Sequence, residues 1–219
     1  MRIVDLTRPI EAGMSVYPGD PEVCFVTHSD YAAHGFRVTQ FQLGTHAGTH
    51  LDAPAHFLSG GATVEALPLE KLVGAARMID LNASNVSFEA GERVLIRSGW
   101  ANRWGRPEYF TGFPGMPSEL ADRLAAAPVA LVGLETPTLH PEEEEDARLH
   151  RLLLERGIVL VENLMNLDAL PEHFGLAVLP LPLRGLDGSP CRVVAFLDAS
   201  DETMTLSALR NGVTPCDAD

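Results

Sequence analysis

The chain has 219 residues, of which 46% are hydrophobic, and this is sufficient for one domain with a buried core. Its 30 Asp and Glu residues outnumber its 16 Lys and Arg residues, so its acidic surface disfavours binding to nucleic acids and to anionic membranes. The N-terminal residues are too charged for a secretory signal peptide, and no apolar run could span a bilayer, so we expect a soluble cytoplasmic protein.

The cysteines and the absence of linkers indicate one intracellular unit. Cys24, Cys191 and Cys216 lie far apart in the sequence and form no C-x-x-C pair, so reduced structural thiols are expected. The chain has no internal repeat and no Gly/Ser linker long enough to separate two domains. A single domain over residues 1–219 is therefore predicted.

Short apolar or alternating runs predict a chain in which strands outnumber helices. Strands are predicted at residues 2–6, 22–27, 36–43, 76–81, 93–97, 129–134, 158–162, 177–183 and 192–197, and loops at 17–20, 59–61, 111–117 and 184–190. Helices are predicted at residues 118–127 and 141–156. The acidic series 142–146 suits a helix N-terminus and is interpreted as a solvated face. The pattern predicts a mixed α/β domain whose sheet carries two or three helices, without specifying strand order.

Residues 46–56 concentrate potential metal ligands in a chain that has only eight histidines. The four candidates are His46, His50, Asp52 and His56. A helical H-x-x-x-H motif is disfavoured because Pro54 would break the helix and because Asp52 would rotate away from the histidines. The four candidates are separated by even numbers of residues, so an extended segment would project their side chains to one side. Gly48 lets the backbone bend between them. The spacing predicts a metal site at a strand end or in a loop.

Two candidates lie outside this run. His150 is on the second predicted helix, and Glu162 ends an apolar predicted strand, where a charged side chain has no packing motive. Alone, His150 would be interpreted as an ordinary surface or core histidine, and Glu162 would be ambiguous. The cluster at residues 46–56 makes both of them candidates for further metal ligands.

The run of residues 46–56 resembles the pattern H-x-G-T-H-x-D-x-P-x-H of the cyclase family at every specified position, and the resemblance extends to Phe57. The family includes bacterial kynurenine formamidases (arylformamidases) and manganese-dependent isatin hydrolases. Further segments that resemble the family are residues 5–7, 18–20, 94–100, 133–137, 162–164 and 179–183. The resemblance therefore covers nearly the whole chain.

The resemblance implies roles that spacing alone leaves open. One divalent ion would be held by His46, His50 and Asp52, and a second by Asp52, His150 and Glu162, with both carboxylates able to bridge. Zn²⁺ would be the preferred ion and Mn²⁺ the alternative, since both accept mixed imidazole and carboxylate ligands. His56 would be the catalytic acid/base. The family also implies a swivelling β/β/α fold with a mixed sheet, and a homodimer.

The function implied by the resemblance is metal-dependent hydrolysis of a small-molecule amide, as in the conversion of N-formylkynurenine to kynurenine and formate in tryptophan catabolism. A divalent ion can lower the pKa of a coordinated water from about 16 to roughly 7. This removes the need for a Ser or Cys nucleophile, and no G-x-S-x-G motif is present. His56 could then carry a proton to the leaving amine.

The substrate is less well defined than the metal chemistry. Kynurenine formamidases typically carry a Trp that packs on the substrate ring just before the Pro-Gly-Asp turn, and this chain has Tyr17 there, which offers a smaller stacking face or simply covers the turn. Trp104, Phe110 and Phe113 could cover a hydrophobic pocket or contribute ordinary packing. The alternative reactions are opening of a cyclic amide such as isatin and hydrolysis of another amide or of a lactone.

Three kinds of protein other than an active hydrolase could carry such a cluster of metal ligands. A non-haem Fe(II) oxygenase would use two histidines and one carboxylate, and it would leave His46 and His56 without a task. A structural metal would usually be closed by four Cys or His ligands. A family member that binds metal without activity is the third alternative.

Overall fold

A computed structural model describes residues 1–84 and 86–197, which contain ten strands and four α-helices. The strands are β1 (Arg2–Asp5), β2 (Cys24–Ser29), β3 (Val38–Gln42), β4 (His50–Asp52), β5 (Val73–Asp80), β6 (Arg93–Arg97), β7 (Leu131–Leu134), β8 (Val159–Glu162), β9 (His173–Pro180) and β10 (Gly188–Leu197). The α-helices are α1 (Tyr31–His34), α2 (Leu69–Leu72), α3 (Ser118–Ala126) and α4 (Glu143–Glu155).

Seven strands form a closed, barrel-like sheet in the order β4-β8-β7-β6-β5-β9-β10, and β10 returns to β4. Closure depends on the length of β10, because residues 188–190 pair with β4 while residues 191–196 pair with β9. Strands β5 to β8 run parallel, and helices α3 and α4 lie in the connections on either side of β7, as parallel neighbours require. The predicted mixed α/β domain with a mixed sheet is confirmed.

Side chains that alternate along the strands separate two cores. In β8, Val159 and Val161 enter the core that fills the barrel, whereas Leu160 enters the core between the sheet and the helices. Helix α4 contributes Leu149 and Leu153 to this second core, four residues apart on one helical face. The face of the sheet that carries Leu160 is therefore covered by helices.

Every predicted strand overlaps an observed one, and the differences concern mainly the pairing around β10. The predicted loop at residues 184–190 is wrong at its end, because residues 188–190 begin β10 by pairing with β4. Strand β4 was not among the predicted strands, since three residues are too few for alternation to be recognised. The one-turn helices α1 and α2 were not predicted either, and both predicted longer helices are confirmed as α3 and α4.

Strands β2 and β3 form a separate two-stranded hairpin with most of its side chains exposed. Its Cys24 is an exposed free thiol, and Cys191 in β10 is a buried one. Cys216 lies outside the described residues. None of the helices in residues 1–84 and 86–197 combines the length and apolar character needed to cross a membrane.

Candidate metal centre

Strands β4 and β8 bring three candidate ligands to one face of the sheet. The strands are antiparallel, with His50 opposite Glu162 and Asp52 opposite Leu160. Because side chains alternate, Leu51 enters the barrel core, whereas His50 and Asp52 lie on the face that Leu160 shares with the helices. Glu162, two residues after Leu160, lies on the same face. All three polar side chains are buried.

Helix α4 supplies the fourth candidate from above this face. His150 is buried, and its Nε2 atom lies 3.7 Å from Asp52 Oδ2 and 3.5 Å from Glu162 Oε1. Its Nδ1 atom donates to the backbone oxygen of Asp146 at 2.9 Å. The helix therefore fixes the ring with Nε2 directed at the two carboxylates.

Two turns place the remaining histidines. Gly48 has a φ of +66°, which a side chain would make unfavourable, and the backbone turn there returns His46 to β4, with Nδ1 2.8 Å from Asp52 Oδ1. His56 ends a 3₁₀ turn, and its ring centroid lies 4.0 Å from that of His46. The expectation that an extended segment projects all four side chains to one side is therefore correct for His50 and Asp52. It is wrong for His46 and His56, which are positioned by turns.

The donor atoms are spaced as ligands of a shared cation would be. Within the described residues, two sets of donor atoms lie within 4.8 Å of one another, and they belong to His46, Asp52 and His56, and to His50, Asp52 and Glu162. His50 Nε2 lies 3.3 Å from Asp52 Oδ1 and 3.4 Å from Glu162 Oε2. His150 joins neither set, but it faces the other oxygen of each carboxylate. Asp52 and Glu162 thus each present one oxygen to His50 and the other to His150.

Two carboxylate oxygens of this cluster indicate whether its residues are suited to bind a metal. Asp52 Oδ2 and Glu162 Oε1 are buried and have no hydrogen-bond partner in the part of the chain that the structure describes. A buried charged oxygen without a partner is strongly unfavourable, and a divalent cation would satisfy it. Mixed imidazole and carboxylate donors suit Zn²⁺, Mn²⁺ and neighbouring ions. The residues present therefore fit a divalent metal centre.

The electrostatic field at the centre favours a cation. Burial alone would lower the pKa of His50, but hydrogen bonds to Asp52 and Glu162 outweigh burial and raise this pKa to about 10. Burial also opposes ionisation of Asp52, yet the charge of His46, the nearby imidazole of His150 and the hydrogen bond to His46 hold the Asp52 pKa well below its ordinary value. Burial and the neighbouring imidazoles lower the pKa of His56. His56 is therefore the histidine of this cluster that is best suited to be neutral and to accept a proton.

A cavity of about 490 Å³ opens over the centre. Tyr17 lies on its wall, 39% exposed, with its ring perpendicular to that of Phe110 at 6.0 Å. Trp104 also lines the cavity, whereas Phe113 is buried and is not among the lining residues. Of the three aromatic residues suggested as a pocket cover, two therefore have that position and Phe113 packs in the interior.

Two residues near the centre were missed by sequence reasoning. The carboxylate of Asp146 lies 3.3 Å from His150 Nδ1 and accepts from the Thr138 hydroxyl, so assigning residues 142–146 to a solvated face is wrong for Asp146. Asp187 Oδ2 lies 2.8 Å from His46 Nε2, although the two residues are 141 positions apart. Helical spacing to His150 could have indicated Asp146, but no local signal indicates Asp187.

The sequence is similar to those of known proteins over most of its length. Residues 4–141 match the family Cyclase, described as "Putative cyclase". The kynurenine formamidase of Salinibacter ruber is 32% identical over 213 residues, which cover 92% of this chain and all of that relative. The kynurenine formamidase of Geobacillus thermodenitrificans is 33% identical, over 86% of this chain and 94% of its own length.

Solved structures show the same fold over most of the chain. A predicted metal-dependent hydrolase from Bacillus stearothermophilus superimposes with a TM-score of 0.75 at 27% identity, covering 89% of this chain and 97% of its own. Isatin hydrolase A from Labrenzia aggregata has a TM-score of 0.78 at 25% identity, covering 89% of this chain and 93% of its own. By sequence and by fold, the chain belongs to the cyclase family.

Proposed function

We propose that this protein is a metal-dependent hydrolase that cleaves the formamide bond of N-formylkynurenine to give kynurenine and formate. The observation that carries the proposal is a pair of buried oxygens, Asp52 Oδ2 and Glu162 Oε1, that have no hydrogen-bond partner among the described residues. They face Nε2 of His150 at 3.7 and 3.5 Å, beside an aromatic-walled cavity. Relatives that match nearly the whole chain and are named kynurenine formamidases support this substrate class.

The ligand assignment is the one that the resemblance to the cyclase family implies, and the donor spacing supports it only in part, because the two observed sets include His56 and join His50 to Glu162. One divalent ion would be held by His46, His50 and Asp52, and a second by Asp52, His150 and Glu162, with Zn²⁺ as the preferred ion and Mn²⁺ as the alternative. When bound, such ions supply an activated water and polarise the scissile carbonyl. The protein fixes the ring orientation of His50 through the backbone oxygen of Gly48 at 2.9 Å, and that of His150 through Asp146.

His56 would carry the proton that amide cleavage requires. Hydrolysis forms a bond from water oxygen to the formyl carbon and breaks the bond from that carbon to nitrogen, so the amine leaves with a proton derived from water. The His56 side chain is 28% exposed, borders the cavity and has a lowered pKa, which suits a group that accepts a proton and returns it to nitrogen. Tyr17 and Trp104 would contact the aromatic ring of the substrate from the cavity wall.

Turnover of two substrates side by side tests this function. The purified protein is stripped of metal, reloaded with Zn²⁺ or Mn²⁺, and assayed with N-formylkynurenine and with isatin. We expect metal-restored formation of kynurenine, and a preference for isatin would instead support the cyclic-amide alternative. Asp52→Asn should remove this activity, whereas Asp80→Asn, at an exposed carboxylate paired with Arg97, should retain it. Metal binding without turnover of either substrate would overturn the proposed substrate class.

A homodimer and a cytoplasmic location complete the proposal. The β2–β3 hairpin leaves large apolar side chains exposed, namely Phe25, Val26, Val38 and Phe41. A two-stranded sheet is marginally stable alone, so burial of this surface by a second copy would stabilise it. The free thiols of Cys24 and Cys191 are consistent with a reducing compartment.

A further inference from the structure

The carboxylate of Asp187 contacts two histidines to which the proposed function assigns different tasks. Its Oδ2 atom lies 2.8 Å from Nε2 of His46 and 3.4 Å from Nδ1 of His56. Its Oδ1 atom accepts a hydrogen bond of 3.4 Å from the hydroxyl of Thr45. One oxygen is therefore anchored by Thr45 while the other faces both imidazoles.

The closure of the barrel brings Asp187 to this position. The backbone oxygen of Asp187 accepts from the Ala53 amide at 2.8 Å, and the next residue, Gly188, pairs with Asp52 across β10 and β4. A Cβ atom on Gly188 would lie 2.7 Å from Cε1 of His46, so glycine leaves room for the imidazole. The start of β10 is thus shaped to hold the His46 ring against the carboxylate.

A comparison of the ligand histidines indicates what this contact does. His50 and His150 each donate from Nδ1 to a backbone oxygen, which leaves Nε2 free for a cation. His46 is reversed, because its Nδ1 faces Asp52 and its Nε2 faces Asp187. A neutral imidazole has only one N–H, so a hydrogen bond to Asp187 places the proton on Nε2 and leaves the Nδ1 lone pair available on the Asp52 side.

We propose that Asp187 is a positioning residue, which selects the metal-binding tautomer of His46 and orients the ring of His56 through the same carboxylate oxygen. This inference rests on the proposed function, because it assigns His46 to the metal and His56 to proton transfer. Asp187 belongs to neither set of clustered donor atoms and is not among the residues that line the cavity. Loss of an outer carboxylate of this kind typically costs about 10–100-fold in metal affinity or activity.

Metal affinity reports on the contact of Asp187 with His46, and turnover at saturating metal reports on its contact with His56. Co²⁺ alone is titrated into the stripped full-length protein and followed by its visible absorption, and kinetics are then measured with N-formylkynurenine at saturating metal. Asp187→Asn should weaken Co²⁺ binding by about 10–100-fold through His46. At saturating metal it should still lower kcat, with KM changed by less than about threefold, since His56 is misaligned while the cavity wall is intact. Asp187→Glu should recover part of both losses.

Controls distinguish this role from a general structural one. Glu65→Gln changes a carboxylate that accepts from the Gly185 amide near the same loop, and it should leave Co²⁺ affinity and kcat unchanged. If Asp187 acts on kcat through His56, then Asp187→Asn should cost much less kcat in a His56→Gln background than in the wild type. Should Asp187→Asn not fold, Asp187→Ser removes the same carboxylate and carries the same expectations.

The failure of this inference can be told apart from failure of the proposed function. Folded Asp187 variants with Co²⁺ affinity and kcat within about twofold of the wild type would overturn the positioning role while leaving the hydrolase proposal intact. A wild-type protein that binds Co²⁺ tightly but does not hydrolyse N-formylkynurenine would overturn the proposed substrate, and the affinity loss in Asp187→Asn would still test the contact with His46. Loss of Co²⁺ affinity and of kcat in Asp187→Asn, but not in Glu65→Gln, would support the inference.

Discussion

Each histidine of the centre has one ring nitrogen that does not face Asp52 or Glu162. The histidines differ in which group contacts that nitrogen. Backbone oxygens of Gly48 and Asp146 hold His50 and His150, so these rings are fixed by local structure in β4 and α4. His46 depends on a side chain from a distant strand. His56 lies 3.4 Å from the same Asp187 carboxylate, is more exposed than the other three histidines, and borders the cavity. Tight packing suits a ligand, whereas a looser position at the cavity suits a group that exchanges protons.

Replacement of His56 tests this division of roles. His56→Gln should lower kcat by about 10²–10⁴-fold, the usual contribution of a general acid or base, because the other three histidines that line the cavity are assigned to the metal. The metal content, measured by elemental analysis, should remain that of the wild type. His34→Gln, at an exposed histidine on α1, is the matched control and should leave both quantities unchanged. Full turnover by His56→Gln, or loss of metal from it, would contradict the assignment.

The sequence could predict the candidate ligands but not the residues that orient them. The spacing in residues 46–56 identifies His46, His50 and Asp52 because the candidates crowd into one short run. Asp187 has no such signal, because its proximity to His46 results from the pairing of β10 with β4. Asp146 was hidden for a different reason, since it belongs to an acidic helix N-terminus whose other residues are mostly exposed.

At the scale of elements, periodicity predicts where strands lie but not which strands pair. Strands β7 and β8 could be predicted because they are continuous apolar runs, which are buried on both faces of the sheet. The barrel, however, is closed by β10, which changes partner from β4 to β9 along its length, and no local pattern encodes this change. Strand β4 is stabilised mainly by its neighbours, since only Leu51 of its three residues is apolar. Non-local pairing therefore determines the site.

The β2–β3 hairpin is the element whose exposed surface calls for a partner. Phe25 and Phe41 are directly opposite each other across the two strands, so they lie on one face and form an apolar patch. We expect the wild type to be a dimer by size-exclusion chromatography with light scattering. Phe41→Glu should shift it toward monomer, because a buried unpaired charge at the interface is unfavourable.

A charge placed elsewhere provides the control for this experiment. Leu69 on α2 is 71% exposed and lies outside the hairpin, so Leu69→Glu should keep the dimer. A monomeric wild type would contradict the proposed homodimer. A Phe41→Glu protein that remains dimeric would show that the hairpin is not the contact surface.

For the whole molecule, the buried charges of the centre link stability to pH and metal. The His50 pKa is raised from 6.5 in the unfolded chain to about 10 by Asp52 and Glu162, despite burial. In protein stripped of metal, this stabilisation is fully present below about pH 6.5 and is lost as pH rises toward 10. A divalent ion needs neutral histidines, so it must displace this proton, and its apparent affinity should increase over the same pH range.

We therefore expect Zn²⁺ to bind at least about tenfold more tightly for each pH unit between 6.5 and 8.5, because displacement of the proton on His50 requires this slope and the raised pKa of His150 adds to it. The difference in Tm between loaded and stripped protein, measured by scanning fluorimetry in a non-chelating buffer at fixed Zn²⁺, should grow with pH, since tighter binding to the folded state raises its stability. His173→Gln, at an exposed histidine on β9, should show the same increase. An increment in Tm that does not change with pH would mean that the imidazole of His50 is already neutral at pH 6.5. The two carboxylates would then be balanced by another charge, and His50 would not hold the proton that the metal displaces.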